Sequence, residues 1–227
     1  LATDDLSADF AQGTHAGTYV AETGNGEVIL APTEGAEWDG TALPPGWTSG
    51  PWTGGTSTVG GGVLTVDGSR TLTTATYGPG RRLECVATFT AGRNQHIGFS
   101  DDFYSRWIIF STKTSGNRLY ARVVPGGSDF DLGTGYVGAS HTYRIDWNAS
   151  SVDFYIDGSL VNSQPVSPAG AMSPIMSDFD AGGDVLTVDW IRMGPYGSPG
   201  TFTSRVFDGG GPVTWEEITW TEELPAG

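Results

Sequence analysis

The sequence predicts an all-β fold, a two-sheet antiparallel jelly-roll β-sandwich with extra strands at both ends of the chain. Short runs rich in Val, Ile, Thr and aromatic residues alternate with polar residues at a period of two, and no run has the period of an amphipathic helix. These runs recur at intervals of roughly 8–15 residues, with Gly, Pro, Asn and Asp between them. With 35 Gly and 13 Pro among 227 residues, the chain turns often enough for a sandwich of many short strands.

The expected strands extend from one end of the chain to the other. The runs are short, alternate with a period of two and are rich in Val, Ile, Thr and aromatic residues. In order, they cover residues 17–23, 27–31, 61–68, 70–77, 83–91, 96–100, 107–112, 118–124, 141–147, 151–158, 184–193, 201–207 and 213–220. The turn-rich segment 33–55, which contains Trp38, Trp47 and Trp52, is expected to be an opening loop that wraps the sandwich.

The strongest hairpin signal is HTYRIDWNASSVDFYIDGSLV, residues 141–161. Tyr143, Ile145 and Trp147 share one face of its first strand, and the second strand alternates in the same way. The Asp-Gly pair at 157–158 supplies the positive φ angles of a tight turn. Each strand is therefore expected to be half-buried, as in a two-layer sandwich.

Three segments describe the expected organisation of the chain. They are an N-terminal strand arm over 1–35, a jelly roll over 36–196 and a C-terminal strand arm over 197–227. Neither arm forms a closed domain by itself, and an unpaired strand edge seeks a partner. The arms are therefore expected to pair either within the chain or with neighbouring copies.

Composition restricts the classes of partner. The formal net charge is −15, from 26 acidic residues against 11 Lys and Arg, which disfavours nucleic acid and anionic membrane surfaces. No apolar stretch approaches the roughly 20 residues of a membrane span, so membrane insertion is not expected. The single cysteine, Cys85, alternates in phase with core positions and is interpreted as a buried thiol. The composition is typical of an extracellular or cell-surface protein.

Four stretches together resemble a known superfamily. EWDGTALPPGW (37–47), YGPGRRLECVATF (77–89), the hairpin of 141–161 and VLTVDWIRM (185–193) are similar, in this order, to segments of the concanavalin A-like lectin/glucanase superfamily. Family-16 glycoside hydrolases and laminin-G-like modules show the greatest similarity. The resemblance covers roughly residues 36–194, and it implies a jelly roll in which one sheet forms a shallow groove.

The catalytic motif of family 16 is absent from the expected place. Those enzymes use a Glu-x-Asp-x-(x)-Glu strand, which holds two carboxylates about 5–5.5 Å apart. The corresponding strand here, WIIFST (107–112), contains no carboxylate, and Glu37-Trp38-Asp39 lies in the opening loop without a third acid. We therefore predict that the chain is not an enzyme. A polysaccharide lyase site built from Gln95, His96, Tyr120 and Arg122 is an alternative.

Alternation places a set of candidate ligand-binding side chains on the groove face. If Ile97, Phe99 and Phe110 point into the core, His96 and Trp107 point away from it, and the same argument applies to Tyr120 and Arg122. Aromatic faces and planar polar groups suit sugar rings and hydroxyl groups. We predict a glycan site at His96, Trp107, Tyr120 and Arg122. The alternative is that these side chains pack against loops or against the terminal arms.

The resemblance also implies a structural Ca²⁺ on the convex face. Asp189 in TVDWIRM matches the closing-strand ligand of that family, and Glu37 or Asp39 lies in the region of the opening-loop ligand. Calcium prefers six or more oxygen ligands, so backbone carbonyls have to contribute. The alternative is an Asp189 that is simply hydrogen-bonded within its strand.

Three functions are compatible with these observations. The preferred one is a non-catalytic extracellular carbohydrate-binding or adhesion-type module, whose partner is a polysaccharide or cell-surface glycan. The second is a structural subunit or repeat of a surface filament or large surface protein, which assembles with neighbouring copies through its terminal strands. The third is a glycoside hydrolase or polysaccharide lyase with a non-standard site.

Overall fold

A computed structural model describes residues 3–22, 26–208, 210–212, 214 and 217–222. One short α-helix, α1 (Ser7–Phe10), and one 3-10 turn (Lys113–Ser115) accompany the strands. The strands are β1 (Thr14–Ala16), β2 (Thr18–Ala21), β3 (Glu27–Leu30), β4 (Glu34–Ala36), β5 (Trp47–Gly60), β6 (Val63–Thr73), β7 (Arg81–Thr88), β8 (Gln95–Ser100), β9 (Trp107–Ser111), β10 (Leu119–Val124), β11 (Asp129–Gly133), β12 (Ser140–Trp147), β13 (Val152–Ile156), β14 (Ser159–Gln164), β15 (Ser173–Asp178), β16 (Leu186–Met193) and β17 (Thr201–Thr203). Within the described residues, no helix is long and apolar enough to cross a membrane.

Most strands belong to one antiparallel sheet that curls back on itself. Its order is β11-β10-β9-β8-β15-β6-β16-β7-β12-β13-β14, with β5 paired to β6 and β4 paired to β16. Aromatic contacts join the two halves of the sheet: the rings of Phe99 and Trp147 lie 5.2 Å apart, and those of Phe110 and Tyr143 lie 5.0 Å apart. Strands β8 and β9 therefore face strand β12 across one core, which confirms the predicted jelly-roll sandwich.

The core is built by the alternation that the sequence shows. Leu119, Ala121 and Val123 of β10 are fully buried in it, and the residues between them are only half-buried. Cys85 is buried in the same core, and burial raises the pKa of its thiol, so it is an unreactive core residue as predicted. The opposite face of β8, β9 and β10 is left available for other contacts.

The predicted opening loop over 33–55 is wrong for most of its length. This segment contains β4 and the first part of β5, a 14-residue strand that pairs with β6 from Trp47↔Thr73 to Gly60↔Val63. This segment is rich in Gly, Thr, Ser and Pro, so it lacks the apolar alternation by which strands were predicted. An irregularity in the register between Pro51 and Thr56 also interrupts the alternation.

The strands predicted at 61–68 and 70–77 are one continuous strand, β6. Gly68, with φ of +55°, adopts the left-handed conformation inside this strand, so it bends the strand without ending it. Besides β4 and β5, four strands were not predicted, namely β1, β11, β14 and β15. Strand β15 is buried at every position, because it lies between β6 and β8, and it therefore shows no alternation.

The terminal arms pair with each other within the chain. Strand β1 pairs with β17 through Thr14↔Thr203 and Ala16↔Thr201, and Arg205 forms an ion pair with Asp4 at 2.7 Å. The arms therefore provide each other with a partner, which argues against assembly with neighbouring copies through these strands.

The outer ends of the two arms match the predicted strands only in part. The strand predicted at 17–23 is observed as β2, and residue 23 lies outside the described residues. Of the strand predicted at 213–220, residues 214 and 217–220 lie outside any regular element, and residues 213, 215 and 216 are not among the described ones.

The fold predicts that replacing two different phenylalanines by alanine has very different effects on stability. Phe154 is 0% exposed and packs at 5.1 Å on Phe110, whereas Phe130 on the edge strand β11 is 46% exposed. We expect Phe154→Ala to lower the free energy of unfolding by about 3–5 kcal/mol, because it removes a buried ring and leaves a cavity. Thermal unfolding should show a fall in Tm on the order of 10 °C. Phe130→Ala is the control, and an equal loss in both variants would contradict the assigned core.

Candidate functional site

A row of side chains crosses five strands on the face opposite the core. The register pairs Tyr120 of β10 with Ser111 of β9, Ser111 with His96 of β8, His96 with Ser177 of β15, and Ser177 with Arg70 of β6. Residues in register on one face of a sheet are direct neighbours. This row therefore forms a polar strip across the sheet, with His96 at its centre.

Aromatic rings surround the strip and form an open cavity of about 300 Å³. The ring of Phe103, from the loop after β8, lies 5.0 Å from His96 and 6.3 Å from Trp107. The ring of Trp52, from β5, lies 6.1 Å from Phe179, which follows β15. We call this cavity the groove, and it is lined by Trp52, Asn94, His96, Phe103, Trp107, Arg122, Ser177 and Phe179.

Two polar atoms in the groove make no hydrogen bond with the described residues. They are Nδ1 of His96 and Nε1 of Trp107, both buried. Burial, together with the charge of Arg122, lowers the pKa of His96 to about 3, so the imidazole is neutral at physiological pH. A neutral imidazole offers one donor and one acceptor, and an indole offers one donor. Both atoms are shielded from solvent, so a hydroxyl group of a ligand reaches them only when a neighbouring groove side chain moves.

Trp52 is held in place by hydrogen bonding and by a stacked cation. Its Nε1 donates to Oγ of Ser177 at 2.9 Å, and the guanidinium of Arg70 lies 4.2 Å from the centre of its ring. Arg70 is itself fixed by both oxygens of Asp102, with Nη2 to Oδ2 at 2.9 Å. The wall of the groove that contains Trp52 is therefore fixed before any ligand binds.

The other end of the groove carries a second set of paired charges. Arg122 Nε donates to Oδ1 of Asp129 at 2.8 Å, and Nζ of Lys113 lies 2.9 Å from Oδ2 of the same carboxylate. Burial opposes ionisation of Asp129, yet the hydrogen bonds from Arg122 and Lys113 leave its pKa below the usual value. Arg122 lies 5.7 Å from the ring of Trp107, and Lys113 lies 4.8 Å from that of Tyr120.

The predicted glycan residues are largely brought together. His96, Trp107 and Arg122 line the groove, and Tyr120 lies in the polar strip beside it. The alternative, packing against loops, holds in part for His96, because Phe103 from the loop over 101–106 rests against it.

Several further residues of the site were not predicted, including Asn94 and Ser177 of the groove lining. Trp52 and Phe179 line the groove, Phe103 contacts His96, and Arg70 supports Trp52. The concentration of Trp in 33–55 was the one sequence signal that pointed towards any of them.

Gln95 does not belong to the groove. It lies on the core side of β8, where its side-chain Nε2 donates to Asp178 Oδ2 at 3.0 Å and to the hydroxyl of Thr90 at 2.8 Å. Adjacent residues of a strand point to opposite faces, so Gln95 and His96 do not act on one ligand. The lyase constellation that includes Gln95 is therefore not formed.

The residues predicted to bind calcium lie in different environments. Glu37 is buried, and its carboxylate forms a two-point ion pair with Arg192, at 2.8 Å and 3.0 Å. Its charge is thus already balanced, and Glu37 does not fit the role of a Ca²⁺ ligand in this arrangement. Asp39 is exposed. Asp189 is half-buried on β16, where burial raises its pKa and a hydrogen bond from Ser140 opposes the rise.

No metal-binding group is formed by the described side chains. Among them, no three His, Cys, Asp or Glu residues come together in a way that would hold a metal ion. The calcium site therefore stays a prediction for Asp189 and Asp39, with Glu37 assigned instead to the ion pair.

Comparison with known proteins gives no sequence relative but a clear structural similarity. No family model and no curated protein matches the chain. An endo-β-1,3-glucanase from Pyrococcus furiosus is similar in structure, with a TM-score of 0.55, 12% identity and coverage of 84% of this chain and 100% of that one. β-Agarase A from Zobellia galactanivorans has a TM-score of 0.51 and 14% identity, with coverage of 70% of this chain and 88% of that one. A glycosyl hydrolase family 16 protein from Mycobacterium smegmatis has a TM-score of 0.50 and 12% identity, with coverage of 72% of this chain and 100% of that one.

These similarities confirm the resemblance in fold and correct one prediction. The chain shares its jelly-roll fold with these three proteins, an endo-β-1,3-glucanase, a β-agarase and a family-16 glycosyl hydrolase. The solved structures that share this fold are mainly glycoside hydrolases, which contradicts the prediction that the chain is not an enzyme. That prediction rested on the absence of one strand motif, whereas glycoside hydrolysis requires two carboxyl groups at a suitable separation in space.

One buried carboxyl beside the groove predicts a pH effect on stability. Asp178 lies between Ser177 and Phe179 but points into the core side, where burial raises its pKa from 3.8 to about 7 despite the hydrogen bond from Gln95. Between these two pH values the native state binds more protons than the unfolded state, so the free energy of unfolding falls as pH rises. The Asp178→Asn variant cannot ionise at this position. From the low end to the high end of that window, we expect its free energy of unfolding to rise by about 1–3 kcal/mol relative to that of the wild type.

Urea unfolding at about pH 4, 6 and 8 measures this difference. Asp153→Asn, on the half-buried face of β13, is the control with the same change in charge. Parallel pH profiles for the wild type and Asp178→Asn would contradict the raised pKa.

Proposed function

We propose that the chain binds a segment of a polysaccharide in the groove, and that it does so outside the cell. The observation that carries this proposal is the set of aromatic side chains that line the groove around His96 Nδ1 and Trp107 Nε1, two buried polar atoms with no hydrogen-bond partner among the described residues. Sugar rings have apolar C–H faces and hydroxyl groups at their edges. A site that offers both aromatic faces and hydrogen-bonding atoms is complementary to them.

The size and rigidity of the groove support a carbohydrate ligand. A volume of about 300 Å³ lies at the lower end of the range for ligand pockets, and the cavity is open to solvent. Trp52 is fixed by Ser177 and Arg70, so little side-chain entropy has to be lost on binding. Binding of this kind is a step that both a glycan-binding module and a glycoside hydrolase require.

Truncation of the groove tryptophans tests the proposal. We expect Trp107→Ala and Trp52→Ala each to weaken binding of neutral oligosaccharides by about 1–2 kcal/mol, which is roughly 5- to 30-fold in Kd. Isothermal titration with a panel that includes β-1,3-glucan and agarose oligosaccharides measures this. Trp220→Ala, which removes a 73% exposed tryptophan from the C-terminal arm, should bind as the wild type does.

Chromatography of the same mixtures shows whether bound chains are also shortened. Circular dichroism establishes that each variant is folded. Unchanged affinity in folded Trp107→Ala and Trp52→Ala would overturn the assignment of the groove, and so would a wild type that binds no member of the panel.

A further inference from the structure

Every positive side chain identified at the groove is already engaged by a carboxylate. Arg70 is held by Asp102, and Arg122 and Lys113 share Asp129. These pairs are only partly exposed: the side chain of Arg122 is 18% exposed and that of Arg70 is 22% exposed. These cations are therefore paired with carboxylates of the protein and are not free to pair with a ligand.

The surrounding charges do not restore a positive field. Arg118, at the start of the same edge, is paired with Asp131 at 2.6 Å, and Lys113 also helps to keep the pKa of Asp131 low. Three cations thus face two carboxylates at this end, and one cation faces one carboxylate at Arg70. This small local excess stands within a chain of formal net charge −15, which repels polyanions at long range.

The floor of the groove is uncharged as well. His96, at the centre of the polar strip, is neutral, and the groups next to it in register are the hydroxyls of Ser111 and Ser177. A hydroxyl-bearing ligand can use these groups without disturbing any ion pair. A sulfate or carboxylate group would have to compete with Asp129 or Asp102 for a guanidinium, and losing such a partner inside a half-buried site is costly.

We infer that the groove selects uncharged polysaccharides and discriminates against sulfated and uronate-containing chains. This inference rests on the proposed function and specifies its ligand class. The ion pairs Arg122–Asp129 and Arg70–Asp102 act as the specificity-determining contacts, because they occupy the cations that an anionic polymer would need.

The direct test compares polymers that differ only in charge. A neutral β-1,3-glucan and agarose are each paired with a carboxymethylated and a sulfated derivative of the same chain length, and Kd is measured for the wild type. We expect the derivatives to bind at least about tenfold more weakly than the neutral parents at low ionic strength. Affinity for the neutral parents should change less than about twofold up to roughly 0.5 M NaCl, where exposed charges are screened.

Two failures can be told apart in this design. If no neutral or anionic polymer binds, the proposed function itself fails. If a derivative binds as tightly as its parent or more tightly, and salt weakens that binding, carbohydrate binding stands and the inferred selectivity is overturned.

A charge variant tests the cause of the selectivity. Asp129→Asn releases Arg122 and Lys113, so we expect it to improve binding of the anionic derivatives about 5- to 10-fold and to make that binding salt-sensitive. Because Asp129 also holds Arg122 in place at the groove, the quantity compared is the ratio of the anionic to the neutral Kd, which should fall about 5- to 10-fold. Asp153→Asn removes the same negative charge on β13, away from the groove, and should leave this ratio unchanged. A gain no larger than that of Asp153→Asn would overturn the role of Asp129.

Discussion

The register of β8 between its two neighbours is the constraint on which the site depends. Strand β8 pairs with β9 on one side and β15 on the other, so His96 comes to lie between Ser111 and Ser177. On the opposite face of the same strand, Ile97 and Phe99 are fixed by the core. A shift of one residue would exchange the two faces, which would bury His96 and expose Phe99. The packing energy of the core therefore keeps the polar strip in place, and the groove needs no separate device to align it.

The groove has an aromatic lining, and the cations beside it are neutralised by ion pairs with carboxylates. Trp52, Phe103, Trp107 and Phe179 supply the aromatic surface, and ion pairs behind them hold the cations in fixed positions. Fixed dipoles and rigid rings favour a ligand that brings hydroxyl groups and C–H faces, because neither protein nor ligand then loses strong charge interactions. The buried pair of Glu37 and Arg192 works in the same way at the other surface. There it ties the segment after β4 to β16.

The sequence predicted those parts of the site that obey strict alternation. His96, Trp107 and Arg122 were identified because the core positions Ile97, Phe110 and Val123 fix the direction of their neighbours. Trp52 was assigned to a loop, since β5 contains Gly, Pro and Thr in place of the usual apolar residues and pairs with β6 through an irregular register. Phe103 lies in a loop in which both Asp102 and Phe103 have positive φ angles, a conformation that no periodicity reveals. The role of Glu37 depended on Arg192, 155 positions away in the chain, and pairings of that kind follow only from the folded sheet.

The central claim is that a neutral oligosaccharide occupies the groove beside Trp52 and Trp107, and the indole N–H signals of the eight tryptophans test it most directly. In a ¹H–¹⁵N titration with neutral β-1,3-glucan and agarose oligosaccharides, the account predicts large shifts for Trp107 and Trp52. The signals of Trp190, on the opposite face, and of Trp220 should not move. Shifts at Trp190 or Trp220 with none at Trp107 would place the ligand elsewhere and contradict the account.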